Sequence, residues 1–396
     1  MFLLKILFRN LTKALKSQYN WFFIFFGIWL YRVECLSDVG FGLPKILQIG
    51  SIIALFILLT KKYPNIWNII YSKTNMPFKS CIYLYSFAVI STLWAFLPTY
   101  TLYMSIQNII ILASVLIFCN FNTTFKNIET LFIITICIIM VLLFLIFRII
   151  YGHGIFSHIL SLASTAAMLI SYSSAELLTN KKKDLQRTKL LKAAIILSIF
   201  ILVTQTSSGA NASALLGLII GFIFSGKILW LMLIASAGIF IYFNQDIIDN
   251  LILLIMPGKT LETFQSASGR ETLWEFIWKL IEQKPLFGWG YGCGERAVTD
   301  IYDFPAIDAH NVYLGILCGI GIIGLILFII HILYTIFYCL KRHNKPGYTG
   351  ILAAVCCGYL NGYSYGFLSG KACCITVTYF LLIGLTYAYS KNKQYS

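Results

Sequence analysis

Apolar runs of membrane-spanning length recur from one end of this chain to the other, and that recurrence constrains the fold more than any other feature. The runs lie at roughly 19–33, 43–60, 79–97, 102–119, 129–151, 155–178, 190–205, 211–225, 228–244, 311–339, 349–367 and 372–389. A helix crosses the hydrocarbon of a bilayer with about 20 apolar residues. The first run and the pair at 190–225 are short by that measure. The chain is 59% hydrophobic and 11% charged, whereas soluble domains carry about 25% charged residues. No soluble core hides that much apolar surface, so lipid must cover the remainder. The sequence therefore predicts an all-α integral membrane protein of about 12 transmembrane helices, organised as one polytopic unit.

Lys and Arg set the orientation. The formal charge of +15 could suggest a nucleic-acid partner, but the basic residues sit in short clusters between apolar runs, as topology demands. No nucleic acid is expected. With a cytoplasmic N-terminus, the inside segments hold 21 of the 30 Lys and Arg, and every inside segment has at least one. Both termini are then inside. Nine cations fall outside, among them Arg148, Arg270, Arg296 and Lys371. The first sixteen residues place Lys5, Arg9, Lys13 and Lys16 on an otherwise apolar stretch. No small-residue cleavage site follows, so an interfacial basic helix is expected there and not a removed signal.

The same orientation divides the chain into a transmembrane region at 1–244 with about nine spans, a large outer loop at 245–309, and a second region at 310–396 with about three spans. The loop holds ten of the fifteen acidic residues. A loop this long in a compact chain is more often functional or disordered. Ser268-Gly269-Arg270-Glu271 has the spacing of a helix capping box. Leu273, Trp274, Ile277, Trp278, Leu280 and Ile281 follow at helical spacing until Pro285. The product is an amphipathic helix suited to the membrane surface. Phe287-Gly288-Trp289-Gly290-Tyr291-Gly292-Cys293-Gly294 comes next. Glycine at alternate positions serves either a flexible turn or a close approach of backbone to a ligand or helix.

The eleven cysteines show no metal spacing, and Cys119, Cys137, Cys356, Cys357, Cys373 and Cys374 read as small hydrophobes inside spans. No metal or other cofactor is expected.

Three short stretches remain once architecture is accounted for. They are Gly269-Arg270 with Trp274, then Pro285 with Gly288 and Gly290, then His310-Asn311 with Leu314. In this order around the large outer loop of a many-span protein, they resemble the O-antigen ligase and polysaccharide polymerase family of bacterial inner membranes. The strict likeness covers about 60 residues, with span count and loop position agreeing over the rest. The resemblance implies a metal-independent glycosyltransferase acting at the periplasmic face of the inner (cytoplasmic) membrane. Its donor would be a polyprenyl-diphosphate-linked oligosaccharide, and its partners membrane lipid, a chain-length regulator and a flippase. Relatives often carry an arginine soon after a serine at the outer end of a middle span. Here the stretch Thr206-Ser207-Ser208-Gly209-Ala210-Asn211-Ala212-Ser213 has no cation.

Residue chemistry gives each candidate a role. A departing diphosphate gathers negative charge, which arginine grips through paired hydrogen bonds. Arg270 is the first candidate, otherwise a solvated cation in the helix's first turn. Arg148 near the outer end of its span is the second, otherwise a snorkelling side chain. Arg296 and Lys371 are further binding candidates on the same side, and the carried-over pattern adds Trp274. His310 is the natural general base, because an imidazole titrates near neutrality. The alternative is a span-end histidine bonded to a backbone carbonyl, and His153 or His158 could serve instead. Asn311 orients His310, binds sugar, or caps the helix. His331 lies mid-span and His343 inside, and neither suits catalysis.

Three functions compete. A polymerase transfers the glycan to another lipid-linked repeat unit, and a ligase transfers it to the lipid A core. A lipid-linked oligosaccharide flippase needs charges deep in its spans, which the sequence lacks. The polymerase is preferred here.

Overall fold

The computed structural model describes residues 74–121, 125–149, 159–179, 184–205, 207–227, 270–304, 309–370 and 372–391, with scattered positions between 49 and 68 and at 229, 232 and 236. Its regular elements are all helical among these residues: α1 (Met76–Ile90), a 3-10 turn (Ser91–Trp94), α2 (Pro98–Phe121), α3 (Phe125–Ile149), α4 (Leu160–Thr179), α5 (Leu185–Gln205), α6 (Ser208–Phe224), α7 (Arg270–Gln283), α8 (Gly294–Tyr302), α9 (Val312–Leu340), α10 (Tyr348–Asn361) and α11 (Cys374–Lys391). Four stretches, Pro98–Ile117, Ile128–Leu145, Leu185–Gln205 and Val312–Leu340, are long and apolar enough to cross a membrane. The predicted spans at 19–33, 43–60 and 228–244 lie wholly or largely outside the described residues.

Helix α4 forms the centre. Every residue from Ser161 to Glu176 is buried, against α5, α6 and α10. Its small residues Ala163, Ala166, Ala167 and Ser171 let neighbouring backbones come close, as lipid-phase helix packing favours. Large aromatic side chains, including Tyr85, Phe132, Phe328, Tyr379 and Phe380, fill the space that remains.

Two polar systems fasten the bundle. Inside it, His331 is fully buried, with Nδ1 2.8 Å from Ser80 Oγ and Nε2 bonded to Tyr379, whose hydroxyl lies 2.6 Å from that of Tyr359. At the end where α9 meets α10, Arg187 grips Glu129 through two 2.7 Å bonds and also pairs with Glu176. Glu176 accepts from the amides of Gly347 and Gly350 at 3.1 and 2.9 Å, and Tyr172 donates to Glu129 at 2.8 Å. Burying such charges is tolerable only because each is paired and hydrogen-bonded.

The structure departs from the sequence reading in several places. The run at 311–339 was expected as one helix, but α9 is broken at Ile320 and Gly321, where the backbone is non-helical. The segment around residues 294–302, part of the expected outer loop, is helix α8. The run expected at 349–367 stops helically at Asn361, where a turn through Gly362, Tyr363 and Ser364 takes over. The helix at 185–205 is longer than its apolar run, because its first turns are polar and share Arg187 with the ion cluster.

The cysteines expected to be buried hydrophobes are so placed: Cys119, Cys357, Cys373 and Cys374 are buried, and Cys137 and Cys356 half-buried.

Candidate functional site

The site is built around the turn that leads into α9. Asn311 caps that helix, its side chain accepting from the amides of Tyr313 and Leu314 at 2.9 and 3.1 Å. This satisfies two of the amides that every helix start leaves orphaned. His310, immediately before the cap, has φ +50°. Left-handed backbone costs an L-residue about 1–2 kcal/mol, so the surroundings must hold it there.

They do so through three elements. The indole Nε1 of Trp274, on α7, donates to the Ala309 carbonyl at 2.9 Å. The Ala309 amide donates to Glu295 Oε1, on α8, at 3.3 Å. On the far side of the turn, the Val312 amide donates to the Gly362 carbonyl at 2.7 Å. Tyr363, next to Gly362, meets the Trp274 ring edge-on at 5.9 Å.

Arg270 opens α7 and is half-buried. It lies four residues before Trp274, and so shares its face of the helix one turn away. The hydrophobic side of α7 is as the sequence suggested: Leu273, Ile277, Leu280 and Ile281 are buried. Trp278 is exposed, whereas Trp274 turns inward. Pro285 follows the end of the helix at Gln283.

The glycine-rich segment after α7 is packed, not a loose turn. It runs beside the break in α9. The Trp289 and Gly290 amides donate to the Cys318 and Gly319 carbonyls at 3.0 and 2.7 Å, and Ile322 donates to the Pro285 carbonyl at 2.9 Å. These bonds satisfy groups that the interrupted helix leaves open, which non-helical backbone at this position requires. The other edge of the segment faces the 3-10 turn region: Phe96 donates to the Trp289 carbonyl at 2.7 Å and Trp94 Nε1 to the Phe287 carbonyl at 2.8 Å. Gly288 has φ +67°, and a Cβ there would lie 2.5 Å from the Gly319 oxygen. Gly321 has φ +68°, and a Cβ there would strike the Leu286 carbonyl. Neither position accepts a side chain.

The remaining candidates divide. Arg296 is exposed, with its guanidinium 5.6 Å from the Tyr100 ring centre, while Glu295 beside it turns inward to Ala309. Arg148 lies back along α3, its Nη1 donating to the Phe144 carbonyl at 3.0 Å. Lys371, His153 and His158 lie outside the described residues. His331 is held in the bundle as above, and His343 Nδ1 is 2.8 Å from the Leu340 carbonyl. The hydroxyl-rich stretch reaches the same end of the molecule. Gly209 abuts Ser364, and Ser207 caps α6 by accepting from the Ala210 amide at 3.5 Å. Thr206 lies outside the described residues. The structure thus joins Trp274, His310 and Asn311 through the turn at Ala309, with Arg270 one helical turn before Trp274, Arg296 on α8 and Arg148 on α3.

Sequence reasoning passed over Glu295 and Tyr363. The first was one acidic residue among ten in the loop. The second falls near the end of an expected span. The short amphipathic run of α8, with Glu295, Ala297 and Val298 buried, was the available signal for Glu295.

Burial pushes the Cys293 thiol up from its ordinary range, against the opposing effect of a Thr101 hydroxyl 3.0 Å away. It is therefore an inert packing group. Among the described residues no three His, Cys, Asp or Glu side chains come together as a metal site.

Residues 193–329 match the family model described as O-antigen ligase. The match runs from within α5 into α9 and includes Arg270, Trp274, the glycine-rich segment, Glu295, His310 and Asn311. No curated protein matches the chain.

Proposed function

We propose that this chain is a membrane glycosyltransferase of bacterial surface polysaccharide assembly, a reading supported by the match of residues 193–329 to the family model described as O-antigen ligase. The donor is a polyprenyl-diphosphate-linked oligosaccharide and the acceptor a sugar hydroxyl on a second lipid-linked repeat unit, which makes the chain a polymerase. The observation that carries this reading is the clamped turn at His310, with Arg270 one helical turn from the Trp274 that holds it.

His310 takes the proton from the acceptor hydroxyl as its oxygen attacks the anomeric carbon. The bond from that carbon to the diphosphate oxygen breaks, and the electron pair leaves with the polyprenyl diphosphate. Arg270 meets the charge that develops there. Asn311 is committed through its carbonyl oxygen to the α9 cap, so its part is to fix the turn. Arg296 and Arg148 are further contacts for the anionic donor, with Lys371 proposed for the same role. The chemistry requires no metal. The reaction takes place at the periplasmic face of the inner membrane, with both termini cytoplasmic and about 12 spans in all.

The description of the matching family as a ligase supports a second reading, transfer to the lipid A core. Deletion of the gene, followed by gel analysis of lipopolysaccharide, separates the two. One retained repeat unit on the core supports the polymerase, and loss of every O-antigen band supports the ligase. Complementation with His310→Ala tests the chemistry: polymer restored to the parental level would remove His310 as the base.

A further inference from the structure

We infer that Glu295 is a positioning residue, which works with Trp274 to hold the backbone that presents His310. The inference rests on the reading of His310 as the base.

Ala309 is held at both its polar backbone atoms by side chains from different helices. Its amide donates to Glu295 Oε1 at 3.3 Å and its carbonyl accepts from Trp274 Nε1 at 2.9 Å. The next residue is His310, in left-handed backbone at φ +50°, and the one after it is the α9 cap. A turn clamped on one side by two side chains and on the other by a helix has little freedom left. The Cα–Cβ bond of His310 leaves that turn in a fixed direction.

Glu295 is itself well placed to act this way. It is 8% exposed. Its carboxylate lies against the first turn of α9, where a Cβ at Gly315 would come within 3.4 Å of Oε1 and press on Ser369. A negative group is favoured at a helix N-terminus, so the same side chain supports the helix and the turn before it. Nothing in this arrangement requires Glu295 to exchange a proton. What it supplies to Ala309 is an acceptor oxygen, which glutamine also has.

The test uses full-length protein in detergent and, as donor and acceptor, the lipid-linked repeat unit extracted from a strain lacking the gene. A misplacement near 1 Å can cost about 100-fold in rate, so Glu295→Ala should lower kcat on the order of 10- to 100-fold, with KM changed by less than about twofold. Glu295→Gln should keep most of kcat. If Glu295→Ala does not accumulate, Trp274→Phe, which keeps an aromatic ring but removes the indole N–H with part of the bicycle, should show the same split. A second readout is independent of catalysis. In His310→Cys protein, the maleimide labelling rate at residue 310, read by mass spectrometry of its peptide, should change several-fold when Glu295→Ala is added and stay constant with Glu295→Gln. If Glu295→Gln were as inactive as Glu295→Ala, the carboxylate itself would be required and the inference would be overturned. Unchanged kcat and unchanged labelling in the Ala variant would also overturn it. Should His310→Ala prove fully active, the reading of His310 as the base fails, and the labelling rates alone still decide whether Glu295 holds the turn.

Discussion

The indole Nε1 of Trp274 lies 2.9 Å from the carbonyl oxygen of Ala309, which joins the amphipathic helix of the large loop to the turn before α9. Helix α7 is thereby fixed in orientation as well as in place, and Arg270 lies one turn earlier on the same face. Arg270→Ala should abolish polymer formation while the protein still accumulates in membranes. Arg270→Lys should rescue only partly, since an ammonium keeps the charge but lacks the planar fork. Gel analysis of the polymer with immunoblotting of the membranes checks both, and full activity in the Ala variant would remove Arg270 from the site.

The His310→Gln variant separates base from positioning group. Glutamine keeps a hydrogen-bonding side chain but accepts no proton near neutrality. General base catalysis contributes about 10²–10⁴ in rate, and turnover should fall by roughly that factor. Donor binding should be nearly unchanged. Near-normal turnover would make His310 a positioning residue.

Glycine substitutions report on the segment beside α9. Gly226 has φ +72° with nothing within 4 Å of a built Cβ, so Gly226→Ala isolates the backbone cost. That cost is about 1 kcal/mol. Gly288 and Gly321 have similar φ values and meet backbone atoms at once. Alanine at either should lower the unfolding temperature in detergent clearly more than Gly226→Ala does. Equal shifts at all three positions would show that the segment does not sit against the break in α9.

The buried ion cluster makes a prediction about stability at the opposite end of the bundle. Arg187→Met leaves Glu129 and Glu176 buried without their shared cation. Breaking a buried pair from one side costs about 3–5 kcal/mol. The variant should melt earlier or accumulate poorly. Adding Glu129→Gln and Glu176→Gln should restore much of the loss. Activity per folded molecule should change little, because the cluster lies away from His310.

Orientation is open to direct test. A cysteine placed at Asp303 should react with a membrane-impermeant maleimide from the periplasm, and one placed at Arg342 only after the membrane is permeabilised. The reverse pattern would put the His310 turn on the wrong face for the proposed reaction.

The sequence by itself determined the class of the molecule, because helix formation in lipid is a local matter. Each apolar run satisfies its own backbone, so the helices from α1 to α6 and from α9 to α11 were visible as runs, although α1 ends at Ile90 and α10 at Asn361, well before their runs do. The spacing of Leu273, Ile277, Leu280 and Ile281 likewise announced the buried face of α7. Arg270, Trp274, His310 and Asn311 were legible through their motifs, though not through any contact between them. Tertiary structure alone decided what those residues do to one another. The α9 break could not be read from Ile320 and Gly321, because a helical interruption is stable only where another segment supplies hydrogen bonds, and Trp289 and Gly290 supply them from thirty residues earlier in the chain. Glu295 looked like one of many loop acids until folding brought it to the Ala309 amide. Arg187 looked like one of a run of topology-setting cations until folding placed it between two carboxylates from α3 and α4. In each case the residue's role depends on a partner distant in sequence, and local pattern carries no information about such a partner.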